Sequence, residues 1–179
     1  CLFNNVAIGA EYAIREYKLD RILIIDWDIH HGNATQRSFY DDQRVLYFST
    51  HQYPYYPGTG GVDELGDGKG KGFNINVPLS PGAGDDEYAG IYLEILKPVA
   101  FEFKPQLILI SAGFDTYFDD PLGGMEVTPE GFARLAQIIL ELAERTYCRD
   151  GESSHPRPSS AAGSAVGPPP EAWPDRAWS

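Results

Sequence analysis

The sequence predicts one α/β domain in which a largely parallel β-sheet is flanked by helices. Two observations support this fold class. Runs of aliphatic residues, such as 21–27, lack the alternation of a half-exposed strand, and continuous runs are typical of parallel strands covered on both faces. These runs alternate along the chain with segments whose apolar residues recur every three or four positions, which is the periodicity of helices.

The first part of the chain is predicted to form two helices, two strands and a long loop. Apolar residues spaced three and four apart over 4–17 predict a helix with one buried face. Residues 21–27 form the first buried strand, 34–40 a short helix and 45–49 a second buried strand. Glycines and prolines over 53–72 predict a loop, and long ordered loops in compact domains tend to be functional.

The second part is predicted to contain two strands and two helices. Residues 73–77 alternate between apolar and polar, as a strand with two different faces does. Residues 85–103 read as a helix whose acidic first turn suits the helix dipole. A third buried strand follows over 106–112. The last helix, 128–147, begins with a capping threonine and a proline at its first position.

Charge and composition exclude several classes of protein. The chain carries 14 basic and 26 acidic residues, a net charge of −12, which argues against nucleic-acid binding. No apolar run approaches the ~20 residues that span a bilayer, so no membrane segment is expected. The two cysteines cannot build a disulfide framework. A cytoplasmic protein is therefore expected.

The composition changes near the end of the last predicted helix. Residues 151–179 are rich in Pro, Ser and Ala and contain no Ile, Leu, Phe, Tyr or Met. Such a segment buries too little apolar surface to offset its ordering entropy. We therefore expect an ordered domain over 1–147 and a disordered tail over 148–179. One hypothesis is that the tail is an out-of-frame translation of GC-rich coding sequence.

A cluster of ionisable residues follows the first predicted strand. In an extended chain, Asp26, Asp28 and His30 point to one face, where they would be costly to bury without a partner. A divalent cation resolves this cost, and a carboxylate and an imidazole two residues apart provide two ligands of a zinc-type site. Asp115 follows a strand expected beside the first and offers a third ligand. The alternative is a solvated strand end whose carboxylates cap the next helix.

Three ordered motifs carry a resemblance to a known family. They are Asp-Trp-Asp-Ile-His-His-Gly-Asn-Ala-Thr (26–35), Tyr-Pro-Gly-Thr-Gly (56–60) and Gly-Phe-Asp-Thr with Asp-Pro-Leu-Gly (113–123). Residues 1–145 resemble the zinc-dependent histone deacetylase superfamily, which includes acetoin-utilisation proteins and acetylpolyamine amidohydrolases. The resemblance implies an arginase/deacetylase-like fold that is incomplete at both ends, and hydrolysis of an amide to acetate and a free amine.

The resemblance also implies roles for individual residues. Zn²⁺ would be held by Asp28, His30 and Asp115. A monovalent cation such as K⁺ would be held by Asp26, Asp28, His30, Ser49 and Thr50. Asp26 and Asn33 would orient a pair of catalytic histidines, and the acyl-lysine tunnel would be bordered by Tyr56, Gly113 and Leu122. His31 and His51 are assigned to packing.

The sequence departs from the family pattern in its proton-transfer groups. The catalytic histidine pair expected before Cys1 is not in the chain, and no tyrosine follows the last helix in a glycine-rich loop. We therefore expect a fragment that binds metal weakly and catalyses poorly, because general acid–base help is typically worth ~10²–10⁴-fold in rate.

Two other functions remain open. A non-catalytic remnant or binding module would hold an acylated or cationic partner without turnover. A ureohydrolase of the arginase type would use two manganese ions, but Gly32 and Thr116 stand where further acidic ligands are needed. The natural substrate is also open, since acetyl-lysine and acetylated amines both suit a narrow tunnel.

Overall fold

The computed structural model describes residues 2–149 and contains a four-stranded parallel sheet with helices on both faces. The strands are β1 (Ile22–Asp26), β2 (Val45–Gln52), β3 (Asn74–Leu79) and β4 (Leu107–Ser111), arranged in the order β3-β2-β1-β4. The helices are α1 (Asn5–Tyr17), α2 (Asn33–Ser38), α3 (Asp85–Ile91), α4 (Lys97–Phe103) and α5 (Pro129–Arg149). The predicted fold class is confirmed. The tail predicted over 148–179 lies almost entirely outside the described residues.

The two central strands are buried along their whole length. In β1, Leu23 and Ile25 point into a core shared with α3 and α5, whereas Ile22 and Ile24 point into a second core that contains α1. Every residue of β2 is buried in the same way. Both faces of these strands are therefore covered, which explains why their sequences show no polar alternation.

β4 lies at one edge of the sheet and is less covered than its sequence predicted. Among residues 2–149 it pairs only with β1. Its residues are half-buried or exposed, and Ile110 is 40% exposed. The prediction of a strand buried on both faces is therefore wrong for β4. A continuous aliphatic run indicates that a strand is suited to burial on both faces. It does not tell which other segments of the chain pack against those faces.

The long helix predicted over 85–103 is present with an irregular centre. α3 and α4 are joined by a π-helical turn, Tyr92–Leu96, and Lys104 ends α4 in the left-handed conformation. The amino end of α3 also contacts that of α5. Asp85 accepts hydrogen bonds from the backbone N–H of Thr128 (2.8 Å) and from its hydroxyl (2.6 Å). The Thr128 hydroxyl in turn accepts from the N–H of Gly131, as its predicted capping role requires.

The sheet brings the carboxyl ends of β1 and β4 together. The two strands are parallel, and Asp26 lies opposite Ser111. The residues that follow these strands therefore share one end of the sheet, where ligands of α/β proteins usually bind. No helix among residues 2–149 is both long and apolar enough to cross a membrane.

Candidate metal centre

The segment after β1 is a turn rather than an extension of the strand. β1 ends at Asp26, and the Asp28 carboxylate accepts the backbone N–H of His30 at 2.7 Å. The Asp26 carboxylate accepts hydrogen bonds from the Tyr47 hydroxyl (2.9 Å) and from the backbone N–H of Asp28 (3.3 Å). The expectation of an extended chain through these residues is therefore wrong, although Asp26, Asp28 and His30 all line one open groove. The hydrogen bond from the His30 N–H to the Asp28 carboxylate stabilises the turn in the backbone at this point.

This turn places three candidate ligands together. One ligand atom from each of Asp28, His30 and Asp115 lies within 4.8 Å of the others. His30 Nδ1 is 3.0 Å from Asp28 Oδ1 and 2.9 Å from Asp115 Oδ2. No other group of three or more His, Cys, Asp or Glu side chains with this geometry occurs among residues 2–149.

The donor set fits a zinc ion. One imidazole nitrogen and two carboxylate oxygens are ligands that Zn²⁺ accepts, and their spacing is close to what bonds of ~2.0–2.2 Å to one tetrahedral ion impose. Gly113 makes room for this arrangement. A Cβ added at Gly113 would lie 2.3 Å from Asp28 Oδ2, so any side chain there would displace the carboxylate.

Asp115 is held in place by a contact to the turn after β1. Its Oδ1 accepts the backbone N–H of Ile29 at 2.9 Å, which leaves Oδ2 directed at His30. Burial raises the pKa of Asp115, and the nearby negative charge of Asp28 adds to this rise. A cation between the two carboxylates would relieve this repulsion.

Asp26, Ser49 and Thr50 lie together at the carboxyl end of β1 and in the neighbouring strand β2. Ser49 is opposite Asp26 in the β1–β2 register, and the Thr50 hydroxyl is 3.4 Å from the Asp26 carbonyl oxygen. All three residues are buried. Burial raises the pKa of Asp26 to about 7, although the hydrogen bond from Tyr47 opposes the rise.

The other predicted site residues lie around this centre. Tyr56 is 76% exposed, and its ring meets the His30 ring edge-on with centroids 6.2 Å apart. Leu122 is 78% exposed on the turn after Asp115. Asn33 is exposed at the first position of α2. An open groove of about 910 Å³, between the amino end of α1 and the ends of β1 and β4, reaches Asp28 and His30.

His31 and His51 lie in a buried polar network. His31 contacts the Thr59 hydroxyl (2.8 Å) and the Gln36 side-chain oxygen (2.9 Å). His51 bridges the Ser49 hydroxyl and the Gly60 carbonyl. Burial lowers the pKa of both histidines, that of His51 to about 4. Both rings are neutral at pH 7 and have partners for both nitrogens.

Sequence reasoning missed two residues around the centre. Gln36 joins the network by accepting from the side-chain amides of Asn74 (2.9 Å) and Asn76 (2.8 Å). Tyr55 stacks on the His30 ring with centroids 5.3 Å apart and planes inclined by 28°. The available signal for Tyr55 was its position beside Tyr56 in the loop predicted to be functional.

Comparisons with known proteins agree with this geometry. The Histone deacetylase domain family matches residues 1–150. A protein of Archaeoglobus fulgidus named "Probable deacetylase" is 48% identical over 145 residues, which cover 81% of this chain and 40% of that protein. "Polyamine deacetylase HDAC10" of Rattus norvegicus is 48% identical over 155 residues, which cover 83% of this chain and 26% of that protein.

Solved structures show the same fold. The crystal structure of the HDA15 HD domain superposes with a TM-score of 0.77 at 43% identity, covering 79% of this chain and 41% of that one. The histone deacetylase Clr3 gives a TM-score of 0.76 at 43% identity, covering 80% and 25%. The chain thus spans well under half the length of these relatives. Together with the family match, these similarities establish that the chain belongs to the histone deacetylase domain family.

Proposed function

We propose that this chain is part of the catalytic domain of a zinc-dependent deacetylase that hydrolyses an acetyl-lysine-like or acetylated-amine amide. The observation that carries the proposal is the convergence of Asp28, His30 and Asp115 from the ends of two neighbouring strands. Membership of the family and the deacetylase names of the relatives support the reaction. One of those relatives is named a polyamine deacetylase, which supports an amine substrate beside acetyl-lysine.

The three residues would act as the protein ligands of the ion. When bound, zinc supplies Lewis acidity that polarises an amide carbonyl and lowers the pKa of water. Three protein ligands leave a coordination position open, as in catalytic rather than structural zinc sites. The hydrogen bond from Ile29 N–H fixes one oxygen of Asp115 and orients the other towards the ligand group.

The remaining predicted residues would shape and support this centre. Tyr56, Gly113 and Leu122 would border the channel for the acyl group, and the exposed apolar surfaces of Tyr56 and Leu122 suit an aliphatic substrate stem. Asp26 and Asn33 would orient catalytic histidines. A monovalent cation such as K⁺ would be held by Asp26, Asp28, His30, Ser49 and Thr50.

We propose that the isolated chain hydrolyses its substrate slowly. Three of its four histidines lie among the described residues, and all three are engaged: His30 in the ligand group, His31 and His51 in the buried network. None of them is free to act as general base or acid. A loss of ~10²–10⁴-fold in rate is therefore expected relative to a deacetylase with a complete set of groups.

The same observation favours a second candidate function. If the three described histidines are all engaged, the ligand group can still hold an ion and an acylated partner. The chain would then act as a binding module without turnover.

The test measures metal content and hydrolysis together. We expect one zinc per chain by atomic absorption, and weak hydrolysis of a fluorogenic acetyl-lysine peptide or an N-acetylated polyamine that a chelator abolishes. Asp115→Asn should lose both, whereas Asp119→Asn, which changes an exposed carboxylate nearby, should lose neither. Zinc binding without chelator-sensitive turnover supports the binding module. Two manganese ions per chain would support a ureohydrolase, and a chain that binds no zinc contradicts the proposal.

A further inference from the structure

Tyr55 connects a candidate metal ligand to the turn at Leu122, which is the rim of the proposed acyl channel. Its ring stacks on the ring of His30 at 5.3 Å, and its hydroxyl donates a 2.8 Å hydrogen bond to the backbone carbonyl of Leu122. The Tyr55 ring is partly buried against the core beneath β1 and β2. One side chain therefore contacts two segments that are far apart in the chain.

The rim segment that Tyr55 contacts is a tight turn. The Asp120 carboxylate accepts the backbone N–H groups of Leu122 and Gly123, both at 2.9 Å. The turn also lies against Asp115, because a Cβ added at Gly123 would be 2.5 Å from the Asp115 carbonyl oxygen. A movement of this turn would therefore displace the backbone of Asp115 as well as Leu122 at the rim of the proposed channel.

His30 has few other restraints on its ring. The side chain is 37% exposed, and its contacts to Asp28 and Asp115 both involve Nδ1. Contacts at a single atom fix the position of that atom but leave the plane of the ring free to tilt. A stacked aromatic ring restrains that plane.

We propose that Tyr55 is a positioning residue of the metal centre: its ring sets the plane of the His30 imidazole, and its hydroxyl holds the Leu122 turn at the rim. This inference rests on the proposed function, because it takes His30 as a metal ligand. The neighbouring Tyr56 has a different place, since it meets His30 only edge-on and is mostly exposed.

The two contacts can be separated by substitution. Tyr55→Phe keeps the stacked ring and removes the hydrogen bond to Leu122. Tyr55→Leu removes both. Tyr53→Leu removes an exposed tyrosine ring from the same loop, one that makes no ring contact with His30, and serves as the matched control.

The experiment measures metal binding and two properties of the metal-free chain. We expect Tyr55→Leu to lower the affinity for Co²⁺ and Zn²⁺ by ~10-fold and to shift the visible absorption bands of the Co²⁺ form. Tyr55→Phe should bind within about twofold of the unsubstituted chain, as other partners of the ligand are unchanged. Tyr53→Leu should leave the absorption bands in place.

The metal-free measurements separate this inference from the proposed function. The His30 ring protons should lose an upfield ring-current shift in Tyr55→Leu and keep it in Tyr55→Phe. Amide exchange at Leu122 should be faster in both Tyr55 variants. Unchanged ring protons in Tyr55→Leu, or unchanged exchange in Tyr55→Phe, would overturn the inference. A chain that binds no metal would contradict the proposed function, and these two measurements would still decide the contacts of Tyr55.

Discussion

Gly113 shows how strongly the candidate metal centre depends on one missing side chain. The backbone of the segment after β4 passes so close to Asp28 that a Cβ would lie 2.3 Å from its carboxylate oxygen. Real carbon atoms do not approach an oxygen so closely, so either the backbone or the carboxylate must move. The glycine is required here for space, since its backbone is not in a left-handed conformation.

We predict that Gly113→Ala lowers zinc affinity by at least ~10-fold, because the displaced Asp28 carboxylate no longer converges with His30 and Asp115. Gly90→Ala is the matched control. Gly90 lies in α3 with open space around its Cβ position, so alanine there should raise the free energy of unfolding by about 0.5–1 kcal/mol and leave zinc affinity unchanged. Calorimetric zinc titration of both variants checks the prediction, and equal affinities would contradict it.

His51 gives the molecule a pH dependence of known sign. Burial lowers its pKa to about 4, whereas a histidine in the unfolded chain titrates near 6.5. Between these values the unfolded chain binds more protons than the folded one. The contribution of His51 to stability is therefore complete above about pH 6.5 and is lost as the pH falls towards 4.

We predict that acidification from pH 7 to 4 costs the unsubstituted chain about 3 kcal/mol more free energy of unfolding than it costs His51→Gln. The comparison between the two chains is needed because Asp26 acts in the opposite direction. Its raised pKa of about 7 makes its contribution grow as the pH falls. Urea unfolding at both pH values, with chelator present, measures the difference, and parallel pH profiles would rule out this role of His51.

At the level of elements, the strands and helices were predicted well from the sequence, because their apolar residues follow the regular spacing of buried strands and of helices with one buried face. β1 is apolar up to Ile25 and β2 from Val45 to Phe48, and both strands are buried along their whole length, so the aliphatic pattern in these segments indicates their burial directly. The exposure of β4 and the π-helical turn in 92–96 were not predictable from local pattern. Both depend on which other parts of the chain lie against these segments.

The candidate site was predictable only in part for the same reason. The ligand group of Asp28, His30 and Asp115 was predicted from the residue types and from the expectation that the strands preceding these residues are neighbours. Asp26 was grouped with them by spacing and lines the same groove, but its carboxylate accepts hydrogen bonds from Tyr47 and from the Asp28 N–H and is not one of the three converging ligands. The position of Tyr55 beside Tyr56 did not indicate its contact with His30, because stacking on a residue 25 positions away in the chain is a property of the fold.

The contact between α3 and α5 leads to a prediction at this level. Asp85 accepts two hydrogen bonds from Thr128, the capping residue of α5, so its loss leaves a helix end and a part-buried hydroxyl without their partner. We expect Asp85→Ala to lower the free energy of unfolding by about 1–2 kcal/mol. Asp86→Ala removes only an exposed ion pair with Arg134 and should cost less than about 0.5 kcal/mol. Urea unfolding of the two variants provides the comparison, and equal losses would contradict the bridging role of Asp85.

At the level of the whole molecule, metal binding and folding are coupled. The ligand atoms come from residues 28, 30 and 115, which are brought together only when β1 and β4 pair. The unfolded chain has no such site, so an ion that binds the folded state stabilises it.

We predict that zinc at 100 times its dissociation constant raises the free energy of unfolding by about 2.7 kcal/mol and the Tm by about 5–10 °C. In Asp115→Asn the shift should fall below about 1 °C, because the amide keeps the shape and the hydrogen bond from Ile29 but loses the charge. Calorimetric scans with and without zinc test this. An equal shift of Tm in the unsubstituted chain and in Asp115→Asn would show that zinc binds at a site that does not include Asp115.

The strand order has a consequence for cleavage of the chain. A protease cut after the exposed Lys69 leaves an amino-terminal piece with the inner strands β1 and β2, and a carboxyl-terminal piece with the outer strands β3 and β4. The amino-terminal piece keeps the paired strands β1 and β2, but the carboxyl-terminal piece cannot form a sheet from its own strands in this order, because β3 and β4 lie on opposite sides of that pair. The sheet stays whole only if β1 and β2 lie between the two strands of the other piece, and the contact between the pieces then includes the one between His30 and Asp115.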